Sequence, residues 1–157
     1  MGWLDGREER AWRGFVSLQQ QVRRRIAREL QRSSGLSEAD YEVLVHLSEA
    51  PDGRMRPYQL GRVTQWEKSR LSHHLSRMAE RGLVERQFCP TDSRGSFVAL
   101  TQEGRSAIGA AAPLHVEDVR RWFIDVLTPE QLDALAEISE TVLEHLAAEG
   151  DEGACTS

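Results

Sequence analysis

The stretch Glu67–Leu100, EKSRLSHHLSRMAERGLVERQFCPTDSRGSFVAL, constrains the fold more than any other part of this chain. An α-helix advances 100° per residue, and at that pitch Leu71, Leu75 and Met78 share one narrow apolar stripe. Ser69, His73, Ser76 and Arg77 fall on the opposite face, with Arg70 at its edge and Lys68 and Ser72 on the flanks. Gly82 stops the helix, as a glycine past the last turn commonly does. Leu83–Phe88 then alternates like a strand, Pro90–Gly95 is a turn cluster, and Ser96–Leu100 returns. A helix with one buried stripe thus leads directly into a β-hairpin. The helix face left over is cationic and rich in hydrogen-bonding groups.

The flanking segments are helical. Between Glu8 and Gln31, Trp12, Phe15, Leu18, Val22, Ile26 and Leu30 recur at three- and four-residue steps, and Ser33-Ser34-Gly35 ends the run. Ser37 caps a second helix, Glu38 to Glu49, whose apolar set is Tyr41, Leu44, Val45 and Leu47. Pro51-Asp52-Gly53 is a turn, and Arg54-Met55-Arg56 is a candidate short strand. Pro57 opens a short helix through about Val63, anchored by Leu60. After the hairpin, Thr101 caps a helix carrying Ile108, Val116, Val119, Trp122, Phe123 and Val126. Thr128-Pro129-Glu130-Gln131 is a capping box with proline at the first helical position, opening a last helix through about Ala148 with Leu132, Leu135, Ile138, Val142 and Leu146. The order helix, helix, short strand, helix, helix, hairpin, helix, helix places a winged helix-turn-helix in the middle of a mainly α chain with a small β-hairpin.

Charge is distributed unevenly. The net charge is −5, yet from Arg54 to Arg94 nine cations face four carboxylates. From His115 onward only Arg120 and Arg121 oppose eleven carboxylates. A basic centre on an acidic scaffold fits a module that meets phosphate, against the plainer reading of solvated surface charge. No apolar run approaches the roughly 20 residues of a membrane span. The first residues do not read as a signal peptide, and Cys89 and Cys155 make no disulfide framework, which fits a reducing cytoplasm. The segment 150–157 reads as a flexible tail.

At this point the chain resembles the MarR family of bacterial transcription regulators. LSEADYEVLVHL, LSHHLSRMAERGLVER, the hairpin tip DSRG, LTQEGR and LTPEQLDAL carry the resemblance, which spans nearly the whole chain. It implies a single MarR-like domain over residues 1–149, with a winged-helix core at about 37–100. N- and C-terminal dimerisation helices, at about 8–32 and 101–148, would flank that core. It also implies a homodimeric repressor on a pseudo-palindromic operator, with Asp92-Ser93-Arg94 as a wing whose arginine enters the minor groove while the aspartate holds it. A two-fold dimer would set two recognition helices roughly 34 Å apart, in successive major grooves. Two departures stand out: Thr64 where the family usually has an aliphatic residue, and Gln65 where many members have glycine. Trp66 is the residue expected to fill space there.

The expected DNA-contacting set is Lys68, Ser69, Arg70, Ser72, His73, Ser76, Arg77, Asp92 and Arg94. Arginine grips guanine O6 and N7 bidentately, while serine and histidine suit shorter contacts. The family also implies a small aromatic effector, for which Trp12, Phe15, Tyr41, His46, His115 and Trp122 are candidate lining residues, against the commoner role of such aromatics as plain core. No catalytic constellation and no cofactor motif emerge, so no enzymatic activity is expected. The five histidines show no HExxH or CxxC context, and His73 and His74, as helical neighbours, make a poor chelating pair. Cys89 lies beside the basic wing, the kind of setting that lowers a thiol pKa. The rival readings are a winged helix used for protein interaction and a metal or redox sensor without strong DNA specificity.

Overall fold

The computed structural model describes residues 2–88 and 95–152, with side chains through 149. The expected wing residues Asp92 and Arg94, and both cysteines, lie outside the described residues. The chain divides into two compact units, residues 1–118 and 119–157.

In the first unit, α1 (Gly6–Ser34) starts two residues before the expected Glu8. The cause is a capping box: Asp5 accepts from the backbone N–H groups of Arg7 and Glu8, and Glu8 accepts from that of Asp5. A left-handed Gly35 ends the helix. Ser37 and Asp40 form a second reciprocal box at the start of α2 (Glu38–Glu49). A 3₁₀ turn (Pro51–Gly53) leads to β1 (Arg54–Met55), then to α3 (Pro57–Thr64) and α4 (Lys68–Glu80). After α4, Gly82 sits at φ +73° and Leu83 N–H reaches back to the Met78 carbonyl, satisfying a helix-end acceptor before the chain turns into β2 (Val84–Phe88).

β3 (Ser96–Leu100) pairs antiparallel with β2, from Val84 opposite Leu100 to Phe88 opposite Ser96. It also pairs with β1, giving a three-stranded sheet of order β1-β3-β2. The expected alternation along β2 is absent. Leu83 and Val84 are both buried, whereas Phe88 is 84% exposed. The hairpin runs out beyond the core, so its base is buried and its outer half is not.

α5 (Gln102–Trp122) begins under Thr101, whose hydroxyl accepts from Gly104 N–H and donates to the Gly82 carbonyl. Gly104 is there because α5 crosses the α4–β2 turn so closely that a Cβ would run into the Leu83 carbonyl oxygen. The core of this unit gathers Leu30 from α1, Val43, Leu44 and Leu47 from α2, and Leu60 from α3. Leu71, Leu75 and Met78 from α4, Val98 and Leu100 from β3, and Ile108 and Ala111 from α5 complete it. The apolar stripe of α4 is buried as expected.

In the second unit the last turn of α5 ends at Trp122. Phe123 and Val126, expected on that helix, fall instead in a link: Phe123 leaves the helical region at φ −138°, and Ile124–Val126 form a 3₁₀ turn. α6 (Pro129–Glu152) restarts the helix. Thr128 and Gln131 exchange backbone-to-side-chain hydrogen bonds at 2.9 and 3.2 Å, the capping box expected from sequence. The helix continues through Glu152, into the stretch expected to be a tail. None of its described side chains is buried.

The element order and sheet are those of a winged helix-turn-helix: α3 and α4 are the helix pair, and β2 with β3 is the wing. Among the described residues no helix is long and apolar enough to cross a membrane.

Candidate nucleic-acid interface

Three residues stand at the turn between α3 and α4. Thr64 is buried, and its hydroxyl donates to the Leu60 carbonyl at 2.8 Å, so this departure from an aliphatic residue leaves no unpaired polar group. Gln65 adopts a left-handed conformation (φ 55°, ψ 31°), which a glycine would take with less strain. Trp66 packs half-buried against the core at the entrance to α4.

On α4 the two faces separate as expected. Lys68, Ser69, Arg70, Ser72, His73, Ser76 and Arg77 are all exposed, while Leu71, Leu75 and Met78 are buried. Ser76 donates its hydroxyl to the Ser72 carbonyl at 3.0 Å and keeps its lone pairs outward. Arg70 lies over the Trp66 ring, 4.3 Å from its centroid. Arg77 reaches the Nδ1 of His74 at 3.1 Å. Two of the exposed cations therefore rest on partners that belong to the protein interior.

Sequence reasoning missed the most buried polar group of the unit. Asp40, 2% exposed, closes the capping box of α2 through Oδ2 and takes a 2.8 Å hydrogen bond from Arg81 on the same oxygen. Its Oδ1 lies 3.1 Å from the Nε2 of His74, which is itself 7% exposed. That N–H does not point along the line to the oxygen, and neither atom has another partner, so the contact is electrostatic rather than an aligned hydrogen bond. His74 also meets the Trp66 ring edge-on at 5.3 Å. The helical pitch offered a clue, since His74 sits only about 60° from Leu71, on the flank of the buried stripe.

Burial works to raise the Asp40 pKa, but the bonds from Arg81 and Ser37 outweigh it and hold the carboxyl below its ordinary value. Burial lowers the His74 pKa; Asp40 pulls it up, and Arg77 and Arg70 push it down, leaving the imidazole neutral more readily than a free one.

Two more cations approach the wing. Arg54 and Arg56 lie over the Phe97 ring at 4.9 and 4.6 Å from its centroid. Arg86 on β2 is exposed. A cleft of about 610 Å³ opens between α3, α4 and β2, with Tyr58, Trp66, Leu71, Lys68 and Arg86 among its walls.

The aromatic set expected for an effector is only partly assembled. Tyr41, His46 and His115 line a cleft of about 360 Å³, with the rings of Tyr41 and His115 at 4.3 Å. Trp12 and Phe15 contact each other on the exposed face of α1, and Trp122 belongs to the second unit. No group of three or more His, Cys, Asp or Glu side chains that would hold a metal exists among the described residues.

The helix pair, the wing and the cationic face of α4 define a class, the winged-helix regulators. Residues 34–95 match the MarR family model. AbsC, a MarR family transcriptional regulator from Streptomyces coelicolor, is 40% identical; the match covers 94% of this chain and 99% of AbsC, with a TM-score of 0.88. Sco3205, a MarR family transcriptional regulator from the same organism solved in complex with DNA, is 39% identical over 92% of this chain and 94% of its own, with a TM-score of 0.85. The transcriptional regulator HosA of Escherichia coli is 29% identical over 80% of this chain and 91% of its own length. The chain belongs to the MarR family.

Proposed function

We propose that this protein is a DNA-binding transcription regulator that acts as a homodimeric repressor on a pseudo-palindromic operator. Arg70, Arg77, Ser69, Ser76 and His73 read bases in the major groove, Lys68 and Ser72 hold phosphates, and the Asp92–Arg94 wing tip enters the neighbouring minor groove. The observation that carries this reading is the face of α4. Seven polar side chains stand exposed on a helix whose other side is locked into a dry core. Rigid presentation of arginine and serine on one helix face is what groove recognition requires. Sco3205, of similar sequence and fold, was solved in complex with DNA.

The organisation that goes with this reading is one functional body over residues 1–149, its winged core flanked by helices that pair with a second copy. Exposed apolar faces on α1 (Trp12, Phe15, Leu18) and on α6 (Ile138, Val142, Leu146) support it, since single chains rarely leave such stripes to water. The function involves no enzymatic step and belongs in the cytoplasm. A small aromatic effector would act at the Tyr41–His115 cleft by binding the DNA-competent and DNA-incompetent states unequally.

The test is selection of bound sequences from random duplex DNA, followed by titration of variants on the selected site and on scrambled DNA at several salt concentrations. Arg77→Ala is expected to lose about 1–3 kcal/mol of discrimination. Lys68→Ala is expected to weaken all duplexes alike and flatten the salt dependence. Weak, salt-sensitive binding without a preferred sequence would instead favour a winged helix used for protein contacts.

A further inference from the structure

We propose that His74 is a positioning residue for sequence reading, linking the buried carboxylate of Asp40 on α2 to the exposed guanidinium of Arg77 on α4. This rests on the reading that Arg77 contacts bases. His74 does not touch DNA; it acts through Arg77.

A guanidinium has only donors, so the Nδ1 of His74, 3.1 Å from Arg77 Nη2, must accept. The imidazole is then neutral with its proton on Nε2, and that nitrogen faces Asp40 Oδ1 at 3.1 Å. A carboxylate there favours this tautomer, because its negative charge disfavours a lone pair on the nearest nitrogen even though the two atoms are not aligned as a hydrogen bond. Arg81, bound to the other oxygen of Asp40, keeps the carboxylate ionised and fixed in place. Trp66 stands edge-on to the same ring and stacks beneath Arg70. One buried anion thus sets a tautomer, the tautomer supplies an acceptor, and the acceptor restrains a long side chain that would otherwise sample many rotamers. A restrained arginine loses less freedom when it meets a base than a mobile one does.

Two substitutions divide the roles of the ring. The carboxamide of asparagine occupies the level of Nδ1, and that of glutamine the level of Nε2. His74→Asn keeps an acceptor for Arg77 and abandons Asp40. His74→Gln keeps a polar N–H group beside Asp40 and withdraws the acceptor from Arg77.

The experiment measures thermal unfolding and the ratio of operator to scrambled-DNA affinity for wild type, both variants, Arg77→Ala and His74→Gln/Arg77→Ala. His74→Asn is expected to melt lower with discrimination near wild type. His74→Gln is expected to fold well and lose about tenfold in discrimination, but to cause no further loss when it is added to Arg77→Ala. Binding to scrambled DNA should stay the same in His74→Gln.

If discrimination falls equally in both histidine variants and tracks their melting temperatures, His74 is merely structural and the proposal is overturned. If Arg77→Ala loses discrimination and His74→Gln does not, positioning is wrong while base reading by Arg77 stands. If Arg77→Ala loses nothing, the reading of Arg77 fails and takes the proposal with it. Asp40→Asn gives the same answer by an independent route. It removes the charge that holds the Nε2 proton, so discrimination should fall although residue 40 lies outside the DNA-reading face.

Discussion

The helices of the winged core and the terminal helices are built from similar apolar residues and meet opposite fates. Val43, Leu44, Leu47, Leu60 and Met78 are fully shielded from water. On α1, Trp12 and Phe15 remain 58% and 55% exposed, and on α6, Ile138 and Leu143 remain 62% and 64% exposed. The core helices are short, and elements distant in sequence cover them from several sides. α1 and α6, of 29 and 24 residues, bury between them only Leu30 among their described side chains. The winged helix is therefore complete within one chain. The long helices carry a surplus whose burial, at about 25 cal/mol per Å², calls for a second copy.

Core and terminal positions are expected to respond very differently to truncation. Leu47→Ala is expected to cost about 2–5 kcal/mol in denaturant unfolding, through lost transfer energy and a cavity. Leu143→Ala should leave the unfolding of the dissociated chain within about 0.5 kcal/mol of wild type. Equal losses at the two sites would mean that α6 already buries its stripe within one chain.

The next effect is on assembly. Ile138→Glu with Val142→Glu should raise the dimer dissociation constant by at least about 100-fold, because unpaired carboxylates cannot be desolvated cheaply. The circular dichroism of the winged unit should survive. Sedimentation at micromolar concentration decides this, and a wild-type monomer there would remove the reason for the exposed faces.

A smaller effect sharpens the contrast by pH. Burial lowers the pKa of His74, with Arg77 and Arg70 adding to it against Asp40. Burial likewise lowers that of His115, against Asp118 and Glu38. Both residues lie in the first unit. With a depressed value in the folded state, the unfolded chain binds more protons between the two pKa values, so stability rises with pH in that window. It is whole above the ordinary histidine value of 6.5 and declines as pH falls from there through the lower folded values. Melting curves at about pH 7.5 and 5.5 should show the decline in wild type and a shallower one in His74→Gln.

The smallest expected effect is a gain. Gln65→Gly should stabilise the winged unit by up to about 1 kcal/mol, since glycine accepts a left-handed backbone without strain. No change in unfolding midpoint would mean that the glutamine side chain offsets its backbone cost.

What was legible in the sequence follows from the range of the forces involved. The α4 stripe, the bounds of α2 and the Thr128–Gln131 box depend on neighbours a few residues apart, and each was readable. Asp40 and Arg81 are 41 positions apart, and nothing local marks an aspartate in a capping box as the anchor of another helix. The end of α5 at Trp122 was hidden because Phe123 and Val126 continue its apolar rhythm while the backbone does not. The expected alternation of β2 failed because only the base of the hairpin meets a core. The exposed set on α4 follows from periodicity; the partners of Arg70 and Arg77 are only four and three residues away, at Trp66 and His74, but that both are held against the interior depends on the tertiary fold. The wing pair Asp92 and Arg94 lies outside the described residues.

Asp40 closes the first turn of α2, receives Arg81 from the end of α4 and faces His74 in its middle. A local opening that frees the start of α2 thereby exposes a carboxylate that α4 also needs. The two segments are expected to open as one cooperative unit rather than to fray separately, with their backbone amides exchanging at a common rate. α4 should then exchange its amides as slowly as the interior does, although one of its faces lies in water.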